Sequence, residues 1–277
     1  MTDHQTQAAP KTGDDLLWRN LKELPAFRGL LRAVEARFYQ QMSLPEPILD
    51  LGSGDAHFAS VAFDKPLTAG VDPWTPPLRE ARRLRPNAYR LLVQAEGGAL
   101  PFPDGYFASA VSNSVLEHIP VLEPVLADVA RVLKPGGPFI FCVPSDNFLR
   151  FLSISGGLRR VGLRGPAAAY ERFFNRISRH YHCDGPEVWR GRLEAAGMRL
   201  EKYWYYFSPA ALHALEWGHY FGLPAAVAHA LTGRWVLAPN RANLILTERL
   251  LRPYYAERLP EQGAYLFFIA RKAGGTS

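Results

Sequence analysis

The segment Ile48-Leu-Asp-Leu-Gly-Ser-Gly54 restricts the folds open to this chain more than any other. Ile48 to Leu51 reads as a short buried strand that runs straight into a Gly-x-Gly turn, with a helix starting near His57. Glycine permits the tight turn and lets the backbone approach a ligand closely. The helix N-terminus favours a negative group, such as the carboxylate of an amino-acid moiety. A second strand, Leu67 to Val71, is closed by Asp72-Pro73, and Asp72 stands 18 residues past Gly54. A carboxylate at the tip of that strand can accept both hydroxyls of a ribose. Its other reading is a cap on the turn before the helix that Pro76-Pro77 opens.

Strand and helix signals alternate around this unit, which predicts an α/β domain with a parallel sheet. Upstream, Leu16 to Met42 has apolar residues at helical spacing, and Pro25 should kink or restart that helix. Tyr89 to Val93, Phe107 to Ser112 and Phe139 to Val143 read as strands three to five, with a helix over Val121 to Leu133. Residues 145–185 are rich in Arg, Gly and aromatics and show no clear strand. Pro186 to Ala196 reads as a helix, and Met198 to Phe207 and Ala264 to Ala270 as strands. Residues 208–263 between those strands look helical and apolar, interrupted by Pro224, Pro239 and Pro253.

A chain of 277 residues, 48% of them hydrophobic, can bury a sizeable core. Residues 1–13 are polar and aperiodic, which predicts a disordered tail without the apolar stretch of a secretory signal. No run reaches the roughly 18 consecutive apolar residues of a membrane span. The two cysteines, Cys142 and Cys183, argue against a disulfide framework and a thiolate metal site, so no metal is expected. These points favour the cytoplasm. The net charge of +6 is local: seven arginines and one acid, Glu171, lie between Asn147 and His182. Such a patch suits an acidic substrate or a membrane surface, and its bland reading is a solvated helix face. No nucleic-acid motif accompanies it, so no nucleic-acid partner is expected.

Five segments, in order, resemble the class I S-adenosylmethionine (SAM)-dependent methyltransferases, particularly the small-molecule branch with the ubiquinone and menaquinone methyltransferases. Asp50-Leu-Gly-Ser-Gly54 resembles the glycine-rich first motif, and Gly70-Val-Asp72 the ribose-binding acid. Ala95-Glu-Gly-Gly-Ala-Leu-Pro-Phe102 resembles the motif whose acid contacts the adenine amino group, with Glu96 as that acid and the Gly97 amide beside it. Ser112-Asn-Ser-Val-Leu-Glu-His-Ile119 and Leu133-Lys-Pro-Gly-Gly137 resemble the motifs around strands four and five. Three positions depart from the family pattern: Ala56 replaces a common glycine, Glu96 a commoner aspartate, and Gly98 a common acid. The resemblance implies a Rossmann-like seven-stranded sheet, mostly parallel with its last strand antiparallel, helices on both faces, and SAM as cofactor. It implies cofactor contacts at Asp50, Gly52, Ser53, Gly54, Asp72, Pro73, Glu96, Gly97, Asn113 and His118. A dinucleotide-binding oxidoreductase shares the strand–glycine–acid plan but needs glycine where His57 stands. A non-catalytic SAM-binding scaffold would share every motif.

The sequence therefore predicts a SAM-binding core over residues 14–144, completed by 186–207 and 264–272. Residues 145–185 are expected to form a basic lid, and 208–263 a helical apolar cap. Together they would hold a small or lipid-like, acidic acceptor, methylated on oxygen or carbon. A phenol, enol or acidic carbon needs a general base. His182 is the candidate, at the end of the basic segment, with Tyr181 shaping the pocket. In the membrane variant, the arginines face anionic headgroups while Phe148, Leu149, Phe151, Leu152 and Ile154 dip into the interface.

Overall fold

The computed structural model describes residues 15–274, and the tail expected over 1–13 lies outside the described residues. The chain opens with helices α1 (Leu16–Leu21) and α2 (Ala26–Tyr39). Pro25 is the N-cap residue of α2, so the proline restarts the helix as its lost N–H dictates. The strand–helix alternation follows as β1 (Ile48–Leu51), α3 (His57–Ala62), β2 (Leu67–Asp72), α4 (Thr75–Leu84), β3 (Tyr89–Gln94), β4 (Ser109–Asn113), α5 (Glu123–Val132) and β5 (Pro138–Pro144). Phe107 falls outside β4 and bridges Leu133 instead, so the fourth strand starts two residues later than its apolar run suggests.

The arginine-rich segment is helical, α6 (Ser153–Arg160) and α7 (Arg164–Ser178). Then come α8 (Pro186–Ala195), β6 (Met198–Tyr206), α9 (Pro209–Phe221), α10 (Leu223–Thr232), α11 (Arg241–Tyr255) and β7 (Tyr265–Lys272). The sheet order is β3-β2-β1-β4-β5-β7-β6, with β7 antiparallel to both β5 and β6. The chain winds one way from β1 and the other way from β4. Their carboxyl ends therefore diverge and leave a crevice at this switch point, where open α/β sheets bind ligands.

Two apolar layers sandwich the sheet. On one face Trp189 and Leu193 of α8 join Val125, Leu126 and Val129 of α5. On the other, α1, α2 and α3 pack with Leu212 and Leu215 of α9 and with Leu251 and Tyr255 of α11. The segment expected as a cap is thus partly core. Asp15 ties it down, accepting from Arg252 at 2.9 and 2.7 Å while also capping α1. Helix α10, by contrast, has no buried residue. Glu216 of α9 is fully buried and links the two inserted segments, accepting from Ser153 N at 2.6 Å, Ile154 N at 3.2 Å and Tyr170 OH at 2.7 Å.

Four of the five side chains expected to dip into a membrane do otherwise. Phe148 and Leu152 are each only 1% exposed, and Leu149 and Phe151 pack against the same core. Apolar burial inside the fold outcompetes their exposure. Exposed apolar residues are instead Val161 and Leu163, between α6 and α7, and Phe173 and Ile177 of α7. No helix among the described residues is long and apolar enough to cross a membrane.

Candidate active site

At the switch point, Gly52 N and Ser53 N both donate to the Val71 carbonyl, at 2.8 and 2.9 Å, which turns the chain sharply off β1. Gly52 has φ +80°, and a Cβ there would lie 2.4 Å from a methyl of Val115. Gly54 has φ +53° and open space where its Cβ would stand. One glycine is thus required by close packing and the other faces a void. Asp72 accepts from Gly54 N at 3.0 Å and Trp74 N at 2.9 Å, one bond to each carboxylate oxygen. It performs the turn-capping role, and each oxygen keeps a second lone pair for another donor.

The first N–H of the helix after the turn is already paired. The Asp55 carboxylate accepts from His57 N at 3.1 Å. The His57 ring is buried and donates from Nε2 to Asn20 Oδ1 at 3.0 Å. The chain's own carboxylate therefore takes one of the donors at the helix start.

A cavity of about 170 Å³ opens here, walled by Asp50, Gly52, Ser53, Gly54 and Asn113 together with residues of α2 and Trp235. Five of the ten cofactor positions implied by the sequence come together in this wall. Asp72 sits directly behind Gly54. Pro73, Glu96, Gly97 and His118 lie outside the wall, and Glu96 and His118 are exposed. Burial raises the pKa of Asp50 to about 6. The Tyr89 hydroxyl, donating at 2.5 Å, opposes the rise, and the charge of Asp72 adds to it.

Helix α2 supplies what the sequence reading missed. Arg28 and Arg32 line the cavity. Desolvation, and then the like charge of Arg32, lower the pKa of Arg28. Glu35 is fully buried and accepts from Arg32 at 2.8 Å, Asn113 Nδ2 at 2.6 Å, Ser114 Oγ at 3.0 Å and Tyr206 OH at 2.8 Å. Four donors satisfy one buried carboxylate and lock Asn113 in place. Its Oδ1 then has no partner, and neither has the buried Ser53 Oγ. The only trace of this network in the sequence is the polar stripe Arg28, Arg32, Glu35, Tyr39 at helical spacing.

The proposed base is placed elsewhere. His182 donates from Nε2 to the Ile119 carbonyl at 3.0 Å and accepts from Arg192 at Nδ1, at 3.3 Å. Tyr181 is 64% exposed, with its backbone N–H on the Glu117 carbonyl at 2.7 Å. Neither residue lines the cavity.

A family model for a methyltransferase domain matches residues 49–141, from β1 through β5. A demethylmenaquinone methyltransferase of Thermus thermophilus is 28% identical over 219 residues, covering 73% of this chain and 90% of the relative. An uncharacterized methyltransferase of Mycolicibacterium gilvum is 27% identical over 216 residues, covering 74% and 76%. The chain carries a SAM-dependent methyltransferase domain over residues 49–141. Among solved structures, a SAM-dependent methyltransferase from Mesorhizobium loti superposes with a TM-score of 0.51 at 18% identity, covering 87% of this chain and 99% of the other. A geranyl diphosphate methyltransferase superposes at 0.52 with 13% identity, covering 88% and 79%. Both likenesses show the shared fold.

The polar groups of the cavity suit the amino-acid end of SAM. The unpartnered Asn113 Oδ1 offers an acceptor to an ammonium group, and Arg28 and Arg32 offer donors to a carboxylate. These are the two ends of the amino-acid moiety. Gly54 leaves room for the backbone to approach it.

Proposed function

We propose that this methyltransferase acts on an oxygen or carbon of a lipid-like, acidic acceptor. The observation that carries the reading is a second cleft, of about 600 Å³, between the α1–α2 turn and helices α9, α10 and α11. Its wall has no charged residue, and it shares Leu24 and Trp235 with the cofactor cavity. An apolar chain lying in this cleft would bring its head towards the cofactor at Trp235, with Arg28 beside it for an anionic group. The name of the Thermus relative, which specifies a menaquinone precursor, supports the same class of acceptor.

In this reading Asp72 holds the ribose with its remaining lone pairs, while Glu96 and the Gly97 amide meet the adenine at the end of β3. Ser53, Gly54 and Asn113 hold the amino-acid end, and Asp50 lies beneath it. Bound SAM supplies an electrophilic methyl group on a sulfonium. The protein's own work is to orient the acceptor and exclude water, for which Trp235 stands between the two cavities. His182 would serve as a base only after Arg192 releases the Nδ1 lone pair.

Phe221 and Leu237 line the apolar cleft and are 77% and 59% exposed, a route of entry from a bilayer. Arg160, Arg164, Arg172 and Arg176 are exposed and make no ion pair among the described residues, which suits anionic headgroups. We therefore include peripheral membrane contact in the proposal. Flotation with anionic and with neutral liposomes tests it, and equal or absent binding to both removes it.

The acceptor test pairs a prenylated hydroxy-aromatic with its tail-less headgroup and follows methyl transfer by mass spectrometry. The tailed compound should have the lower KM. Ala228→Trp, which fills the cleft, should abolish that preference and leave S-adenosylhomocysteine binding intact. Equal KM values for the two acceptors in the parent would end the lipid reading.

A further inference from the structure

Glu117, His118 and His180 lie away from the cofactor cavity. One ligand atom from each, a carboxylate oxygen or a ring nitrogen, lies within 4.8 Å of the other two. We propose that these three side chains bind a divalent transition-metal ion, zinc first among them.

The supporting geometry begins with what is unsatisfied. Glu117 is 1% exposed, and its Oε2 has no hydrogen-bond partner. A buried carboxylate oxygen left bare is costly, and a cation removes the cost. Glu117 Oε1 faces His118 Nε2 at 3.8 Å. That gap is too long for a hydrogen bond, yet two bonds of roughly 2.1 Å to a shared zinc span it.

The tautomers follow from the neighbours. His118 Nδ1 lies 3.0 Å from the Arg179 carbonyl, which only accepts, so the proton sits on Nδ1 and the Nε2 lone pair faces Glu117. A ring fixed by a backbone carbonyl on its far nitrogen is the usual support of a metal-bound histidine. His180 Nδ1 faces the Cys183 sulfur at 3.8 Å, and a proton shared there leaves Nε2 free for the ion.

The supporting shell is built before any ion arrives. Arg179 ends α7 in the left-handed conformation, φ 56°, and so presents its carbonyl to His118 and the following ring to the cluster. His180 N donates to the Asn175 carbonyl at 3.2 Å, and Asn175 Nδ2 donates back to the His180 carbonyl at 3.0 Å. The His180 ring packs edge-on against buried Phe148, with centroids 4.9 Å apart. The Tyr181–Glu117 backbone bond, 2.7 Å long, holds the two strips of chain together. Two nitrogens and one carboxylate oxygen, with the His118 side chain 43% exposed, leave a fourth position open to solvent or to an anionic ligand.

The test uses the full chain, without SAM. Cobalt(II) is titrated into the metal-stripped protein, followed by its visible absorption and by calorimetry, and then displaced with zinc. One equivalent should bind, and zinc should raise the unfolding temperature. Glu117→Gln, His118→Ala and His180→Ala should each weaken binding at least tenfold, while His182→Gln, outside the triad, should bind as the parent does. Circular dichroism of each stripped variant verifies that it is folded. No binding by the folded parent, or binding unchanged in Glu117→Gln and His180→Ala, would overturn the assignment.

Discussion

Gly52→Ala isolates the close approach that shapes the cofactor turn. The added methyl would meet Val115 Cγ2 at 2.4 Å, Cγ1 at 2.6 Å and Cβ at 3.0 Å. Valine is stiff about χ1, so rotation offers little relief. Two costs follow. Placing alanine at φ +80° costs about 1–2 kcal/mol, and overpacking costs about 1–3 kcal/mol. Their sum, about 2–5 kcal/mol, should appear as a lower midpoint in urea unfolding at unchanged slope. Val115→Ala removes both γ-methyls, so Gly52→Ala/Val115→Ala should recover the overpacking part and leave the backbone part. The double-mutant cycle should therefore show a coupling of at least about 1 kcal/mol. S-adenosylhomocysteine affinity should fall in Gly52→Ala, because the same shift displaces Ser53 and Gly54. Additive single effects, within about 0.5 kcal/mol, would refute the steric account.

Glu35→Ala leaves Arg32, Asn113, Ser114 and Tyr206 without their shared acceptor and should cost roughly 3–5 kcal/mol. A loss under about 1 kcal/mol in urea would mean that the network reorganises freely. Asp50 has a folded pKa of about 6 against an ordinary 3.8, so the native state holds its proton more tightly than the unfolded chain does. Its contribution to stability is greatest below about pH 4 and declines as pH rises to about 6, by roughly 3 kcal/mol. Asp50→Asn should abolish that decline, and parallel pH–stability curves for parent and variant would contradict it. Asp72→Asn keeps one acceptor oxygen and should bind S-adenosylhomocysteine at least tenfold more weakly in calorimetry, with NAD binding neither protein; unchanged affinity would remove Asp72 from the ribose site. His182→Gln should retain turnover within a few-fold, since both ring nitrogens are engaged in the structure. A hundred-fold fall in kcat with unaltered folding would instead make His182 the base.

The sheet and its glycine turn were legible in the sequence because they rest on local rules. Alternation of apolar runs with proline-opened helices places β1 to β5 within two residues. The Gly52–Asp72 spacing follows from one strand–helix–strand unit, and the family pattern extends that to the antiparallel β7. The arginine-rich stretch gave no strand signal, and its true helices, α6 and α7, have only Ser155, Ala167 and Phe174 buried. So thin an apolar stripe is hard to read against the arginines around it.

What tertiary structure alone decided is where polar side chains meet. Glu35 and Tyr206 are 171 residues apart, and Glu117 and His180 are 63 apart; no periodicity links either pair. The same holds for the apolar cap, of which Leu212, Leu215 and Leu251 are buried in the core with α1 and α2 while Trp235 reaches the cavity. Hydrophobic burial is non-directional, so a sequence shows which faces are apolar but not what they will touch. A buried carboxylate must find donors wherever the packing puts them, and at Glu35 the packing brought four.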